Sequence, residues 1–211
     1  MTTAFLKVSL AVQHMRAAAR FSRVVGELER NYAGQPSGEF WEGILHNAVA
    51  CVLTAIASLE AYANEVFSDR DTIFSAFSPK LLDNLWETYE QKPILEKFEF
   101  ALLLLRKSNL DRGTSPYQDV KVLIDLRNAL THFKSEWENE ADEHRKISDK
   151  LASKISPGPF FSTDPLLFPR RWTSHSCTIW AVQSAMAFAT EFERLADFPL
   201  KYGGDPNVYR P

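Results

Sequence analysis

Ala48-Val49-Ala50-Cys51-Val52-Leu53-Thr54-Ala55-Ile56-Ala57-Ser58-Leu59-Glu60-Ala61-Tyr62-Ala63-Asn64-Glu65-Val66-Phe67 decides the fold class. A helical step of about 100° per residue places Val49, Val52, Leu53, Ile56, Leu59, Ala63 and Phe67 on one stripe. Alanines at 48, 50, 55, 57, 61 and 63 let neighbouring backbones come close, so the helix predicted over 39–69 belongs at the centre of a bundle. Glu60 falls inside the apolar face, with Asn64 one turn beyond. A carboxylate there loses hydration and calls for a cationic or hydrogen-bonding partner. Two readings stay open for Glu60 and Asn64: a structural polar network between helices, or a share in a functional cleft.

Helical periodicity extends along the chain on both sides. The breaks are Gly34-Gln35-Pro36-Ser37-Gly38, Ser78-Pro79, Pro93, Asp111 to Pro116, and Ser156 to Pro169, and no β-hairpin signal appears. Helices are predicted at roughly 4–32, 39–69, 79–90, 93–108, 116–138, 142–155 and 173–197. The fold class is therefore all-α, a helical bundle in one domain over 1–197 with a loosely held tail over 198–211. Ser78-Pro79 and Ser115-Pro116 each read as an N-cap followed by proline at the first helical position, where a missing amide hydrogen costs nothing. Segment 156–169 combines four prolines with three phenylalanines, which blocks helix yet favours burial. It reads as a strap across the bundle, with a substrate-covering lid as the alternative.

Composition limits the function classes. With 45% hydrophobic and 12% aromatic residues the 211-residue chain can fill a substantial core. A formal charge of −3 leaves no broad basic surface, so any RNA contact is expected to be local. Cys51 and Cys177 lie far apart in apolar stretches, as reduced packing thiols of a cytoplasmic protein would. Lys7, Arg16 and Arg20 interrupt the amino-terminal region, which does not read as a secretory signal. The longest uncharged stretch, Trp172 to Thr190, carries Ser174, His175, Ser176, Gln183 and Ser184 and reads as a core helix, so no membrane span is expected.

The chemistry concentrates in Leu126-Arg127-Asn128-Ala129-Leu130-Thr131-His132. Arginine holds a phosphate at any relevant pH, and histidine exchanges a proton near neutrality, so the two together can cleave RNA without a metal. On a helix, Asn128 and His132 stand one turn apart with Lys121 and Asp125 in the same sector. Arg127 sits in the apolar arc of Val120, Val122, Leu123, Ile124, Leu126, Ala129, Leu130, Phe133 and Trp137, about 140° from His132. It can turn toward Glu60 while His132 faces outward or toward a second subunit. A cleft shared between two copies would then gather two such pairs around one strand.

Arg127-Asn128 with His132 after four intervening residues resembles the HEPN superfamily, whose ribonuclease members carry this arginine–histidine spacing, commonly with asparagine after the arginine. Ser58 to Glu65 is similar to the family's earlier helix bearing a polar contact to the motif, and the resemblance covers roughly residues 40–137. It implies a helical bundle and metal-independent RNA cleavage by attack of a ribose 2′-hydroxyl on the adjacent phosphate. In that scheme His132 transfers protons, Arg127 stabilises the phosphorane, Asn128 orients His132 or the phosphate, and Glu60 positions Arg127. An RNA substrate, a homodimer and an antitoxin or regulatory partner follow as expectations, with no cofactor. The alternatives are an inactive HEPN-like module binding nucleotide, RNA or protein, and a purely structural adaptor in which Arg127 pairs with Glu60.

Arg170 and His175 repeat the spacing, but they follow Pro169 across a loop-to-helix junction and lack the asparagine, so His175 reads as a cap or surface contact. His14, His46 and His144 show no metal-ligand spacing, and His46-Asn47 reads as a buried or half-buried polar pair. Nucleophile-elbow, phosphate-loop and dinucleotide motifs are absent from the sequence.

Overall fold

The computed structural model describes residues 8–36, 38–135, 142–161, 168–203 and 208–211. The helical turn expected at 4–7, the helix expected past 135, the middle of the strap at 162–167 and the glycine–proline turn at 204–206 lie outside the described residues. The architecture is an all-α bundle. Its helices are α1 (Leu10–Asn31), α2 (Phe40–Ser68), α3 (Arg70–Ile73), α4 (Pro79–Tyr89), α5 (Ile94–Leu104), α6 (Ser115–Thr131), α7 (Asp142–Ala152) and α8 (His175–Ala196), with a 3-10 turn at Arg170–Trp172.

α2 is the central element, packing against α1, α8, α6 and α5. Its length and composition would also suit a membrane span; in this fold its apolar face is buried against those four helices. α1 and α2 form an antiparallel hairpin, because the Ala11 N–H at the start of α1 donates to the Glu65 carboxylate near the end of α2 at 3.0 Å. Serine and alanine at the crossing allow close approach: Ser58 Oγ donates to the Ala11 carbonyl at 2.6 Å, and Ser22 Oγ donates to Thr178 Oγ1 of α8 at 2.8 Å. Gly26 faces His175 so closely that a Cβ there would lie 2.6 Å from the ring's Cε1. His175 therefore packs into α1 rather than lying on the surface; burial and Arg30 hold its pKa below the usual histidine value.

Both cysteines are buried free thiols. Burial raises both, Cys177 to about 12, which leaves them unreactive packing groups. Ser78 caps α4 by accepting from the Leu81 N–H at 3.4 Å, as its sequence implies. α6 starts one residue early, with Thr114 at the N-cap and Ser115 inside, where Ser115 Oγ donates to Asp119 at 2.5 Å. α5 stops at Leu104 because Arg106 takes a left-handed conformation, φ 57°, that closes the helix end. The strap puts Phe160 edge-on to Phe40 at 4.9 Å, Phe161 edge-on to Trp41 at 5.4 Å, and Phe168 into the main core.

The loosely held tail is corrected at its described residues. Tyr202 and Tyr209 are buried in the core, the Tyr202 hydroxyl bonds Ser58 Oγ at 2.8 Å, and the Lys201 N–H donates to Glu193 Oε1 at 2.7 Å. Two aromatic rings outweigh the glycine–proline composition of this segment. Glu193 is 1% exposed, and burial raises its pKa against the pull of the Lys201 N–H, the Tyr62 hydroxyl and the Lys201 ammonium. Between the ordinary glutamate value and this raised one the folded state binds more protons than the unfolded chain, so stability falls as pH rises through that window. Glu193→Gln removes this dependence. The stability of wild type relative to the variant is expected to decline as pH rises above the ordinary glutamate value of about 4.3, followed by urea titration at each pH; a constant difference would show that Glu193 ionises normally.

Candidate functional site

α6 carries the Arg127, Asn128 and His132 motif and ends earlier than its periodicity suggests. Thr131 Oγ1 bonds back to the Arg127 carbonyl at 2.8 Å, and His132 is the C-cap, its N–H still donating to the Asn128 carbonyl at 2.9 Å. The helix gives way there because Phe133 leaves the helical path to stack on His144 of α7, with centroids 5.0 Å apart and planes at 15°. Phe133 is thus an aromatic link between two elements and not a member of the α6 apolar arc; Trp137 lies outside the described residues.

This turn opens a cleft of about 390 Å³ between the end of α6 and α7. Asn128 and His132 line it from α6, one turn apart on one face as expected. His144, Lys146 and Lys150 line it from α7, with Lys134 from the connection. α7 is held in place by its buried stripe of His144, Ile147 and Leu151, and by Lys150 paired with Asp125 at 2.7 Å and Lys154 with Asp119 at 2.7 Å. Lys146 pairs with Glu143 at 2.6 Å. Glu143 is held below the usual carboxylate range by its hydrogen bond and charge pairing with Lys146, against burial, with weaker help from Lys134 and Lys150. Three lysines and two carboxylates, Asp125 and Glu143, line the cleft, so its local balance is positive although the whole chain is acidic.

Arg127 is half-buried, its Nε sealed from solvent without a hydrogen-bond partner among the described residues. It is not part of the cleft wall. The structure therefore brings Asn128 and His132 together and leaves Arg127 on another side of α6, as their angular separation requires.

Glu60 does not meet Arg127. The buried face of α2 is centred on Cys51, Ala55, Leu59, Tyr62 and Val66, which puts Glu60 at its edge with the half-exposed Leu53 and makes no hydrogen bond or ion pair for it among the described residues. The carboxylate that joins helices is Glu65 instead. Burial opposes its ionisation, but hydrogen bonds from Lys201, Ala11 and Ser9 hold it below the ordinary glutamate value. Asn64 has a structural partner: its Oδ1 accepts from Lys97 Nζ at 3.1 Å, and Lys97 is itself buried beside the Trp86 ring at 5.6 Å. Asn64 thus satisfies a buried ammonium.

The second arginine–histidine spacing is structural. Arg170 lies over Trp41 and Phe161, 5.3 and 5.7 Å from their centroids, while the His175 N–H donates to Glu29 Oε1 at 2.8 Å at the start of α8. His46 is exposed, and Asn47 bonds the Gly43 carbonyl at 2.8 Å, so the two do not form a buried pair. His144, without metal-ligand spacing in the sequence, and the cleft lysines are not marked by the arginine–histidine motif. The spacing of His144, Ile147 and Leu151 was the available signal, since it places an imidazole in the apolar stripe of α7.

Comparison with protein-family models, with curated proteins and with solved structures gives no match. The class is therefore defined by the molecule's own features: an all-α bundle with a lysine- and histidine-lined cleft at the end of one helix.

Proposed function

We propose that this chain is a metal-independent endoribonuclease of the HEPN type, acting on RNA in the cytoplasm as a homodimer. The observation that carries the reading is the pairing of Asn128 and His132 on one wall of a cleft whose other groups include Lys134, Lys146 and Lys150. Lysines hold a phosphate as point charges, Asn128 orients it, and His132 moves a proton at the ribose or the leaving oxygen. Arg127, turned away from its own cleft, enters the chemistry from the second copy and stabilises the charge that grows on phosphorus. A cytoplasmic ribonuclease needs restraint, and a toxin or defence effector held by an antitoxin or other regulatory protein is the setting that fits it.

One observation favours a second reading, an inactive module that binds nucleotide, RNA or protein: the sealed Nε and off-cleft position of Arg127 suit a structural arginine. Mixing two variants separates these readings. Arg127→Ala and His132→Ala are each expected to be inactive alone, and their mixture is expected to recover a substantial part of the wild-type rate, because a mixed dimer holds one site with both residues intact. Loss in both with no recovery would place Arg127 and His132 in the same subunit's site. Unchanged turnover in both, with only the melting point of Arg127→Ala altered, would leave the binding-module reading.

A further inference from the structure

We propose that His144 is the second proton carrier of the cleft between α6 and α7, so that one chain supplies both the base and the acid for RNA cleavage. The inference rests on the ribonuclease reading and deepens it. Cleavage by an internal 2′-hydroxyl needs two proton movements, one off the nucleophile and one onto the leaving oxygen, while the motif on α6 provides one imidazole.

The cleft provides two. His132 is exposed at the C-cap of α6 and His144 stands in the first turn of α7, and both line the same cleft. The His144 ring is held rigidly, stacked on Phe133 and tilted against Phe168 at 5.3 Å. Such fixing of a ring by its neighbours is what a proton-transfer group requires of its surroundings. The two carboxylates of the cleft are engaged by Lys150 and Lys146, which leaves the proton transfers to the histidines.

The chemistry balances with these groups. One imidazole takes the proton of the ribose 2′-hydroxyl; the 2′-oxygen bonds to phosphorus and the bond from phosphorus to the 5′-oxygen breaks. The other, as imidazolium, puts its proton on that 5′-oxygen. The products are a 2′,3′-cyclic phosphate and a 5′-hydroxyl, and the two imidazoles exchange protons with water to return to their starting states. Lysine charge offsets the negative charge gathered on the phosphorane.

The test compares wild type, His132→Ala, His144→Phe and His144→Gln on a fluorogenic oligoribonucleotide and on the same oligonucleotide with sulfur replacing the 5′-bridging oxygen. Phenylalanine keeps the stack with Phe133, and glutamine keeps a polar edge; thermal melting checks that each variant is folded. Each histidine variant is expected to lose about 100-fold or more on the all-oxygen substrate. Thiolate leaves without a proton, so the variants at the acid position, and only those, are expected to regain the rate on the sulfur substrate. Full activity in folded His144→Phe and His144→Gln beside an inactive His132→Ala would overturn the inference while the ribonuclease reading stood. Loss in all variants with no rescue would also overturn it, and absence of cleavage by wild type would remove both.

Discussion

Replacing His132 by alanine is expected to reduce RNA cleavage by about 10²–10⁴-fold and to shift folding stability by no more than about 0.5 kcal/mol. Both halves follow from its place. The imidazole is exposed on the cleft wall, while the part of His132 that serves the fold is its backbone N–H, bonded to the Asn128 carbonyl, which alanine keeps. Stopped-time assays on a labelled oligoribonucleotide with a thermal melt of the same preparation give both numbers. A large loss of stability would mean that the ring has a structural duty, and retained cleavage would remove it from the chemistry.

Phe98→Ala is expected to cost about 3–5 kcal/mol, a large part of the roughly 5–15 kcal/mol that holds a domain folded. Phe98 of α5 is 1% exposed and meets Tyr62 of α2 at 5.8 Å, Phe188 at 5.2 Å and Phe192 at 4.7 Å on α8. Those rings touch edge to face or nearly so, an arrangement that alanine cannot replace and that three separate helices cannot collapse to fill. Urea unfolding reads the effect as a lowered midpoint at unchanged slope. Because α6 rests on α8, cleavage by this variant is expected to fall with the unfolded fraction and not beyond it. A cost below about 1 kcal/mol would show that the core repacks around the missing ring.

Much of this architecture was legible because it depends on local pattern. The alanine-rich stripe of α2, the Ser78 cap and the aromatic strap all state their surroundings in their own residue types. What was not legible depends on where one element meets another. Glu60 and Glu65 both look like carboxylates in an apolar run, and only the docking of the α1 start and Lys201 on one side of α2 gives Glu65 the partners and leaves Glu60 at the edge. The end of α6 is set by Phe133 reaching a ring on α7, a contact that no periodicity within α6 contains. Tyr202 and Tyr209 flank a glycine- and proline-bearing stretch of sequence whose composition reads as loose, yet they find room against α2 and each other, 5.7 Å apart. For the site, the Asn128 and His132 wall came from helical spacing, and the opposite wall came from α7, whose lysines look like an ordinary solvated face until α6 lies beside them.

The most direct test of the central claim is the identity of the product that the purified wild-type chain makes from a defined oligoribonucleotide in excess EDTA. Fragments ending in a 2′,3′-cyclic phosphate with 5′-hydroxyl partners are expected, formed at the same rate with or without chelator and lost in His132→Ala. Fragments bearing a 5′-phosphate, cleavage that stops when metal is removed, or an intact oligonucleotide would contradict it.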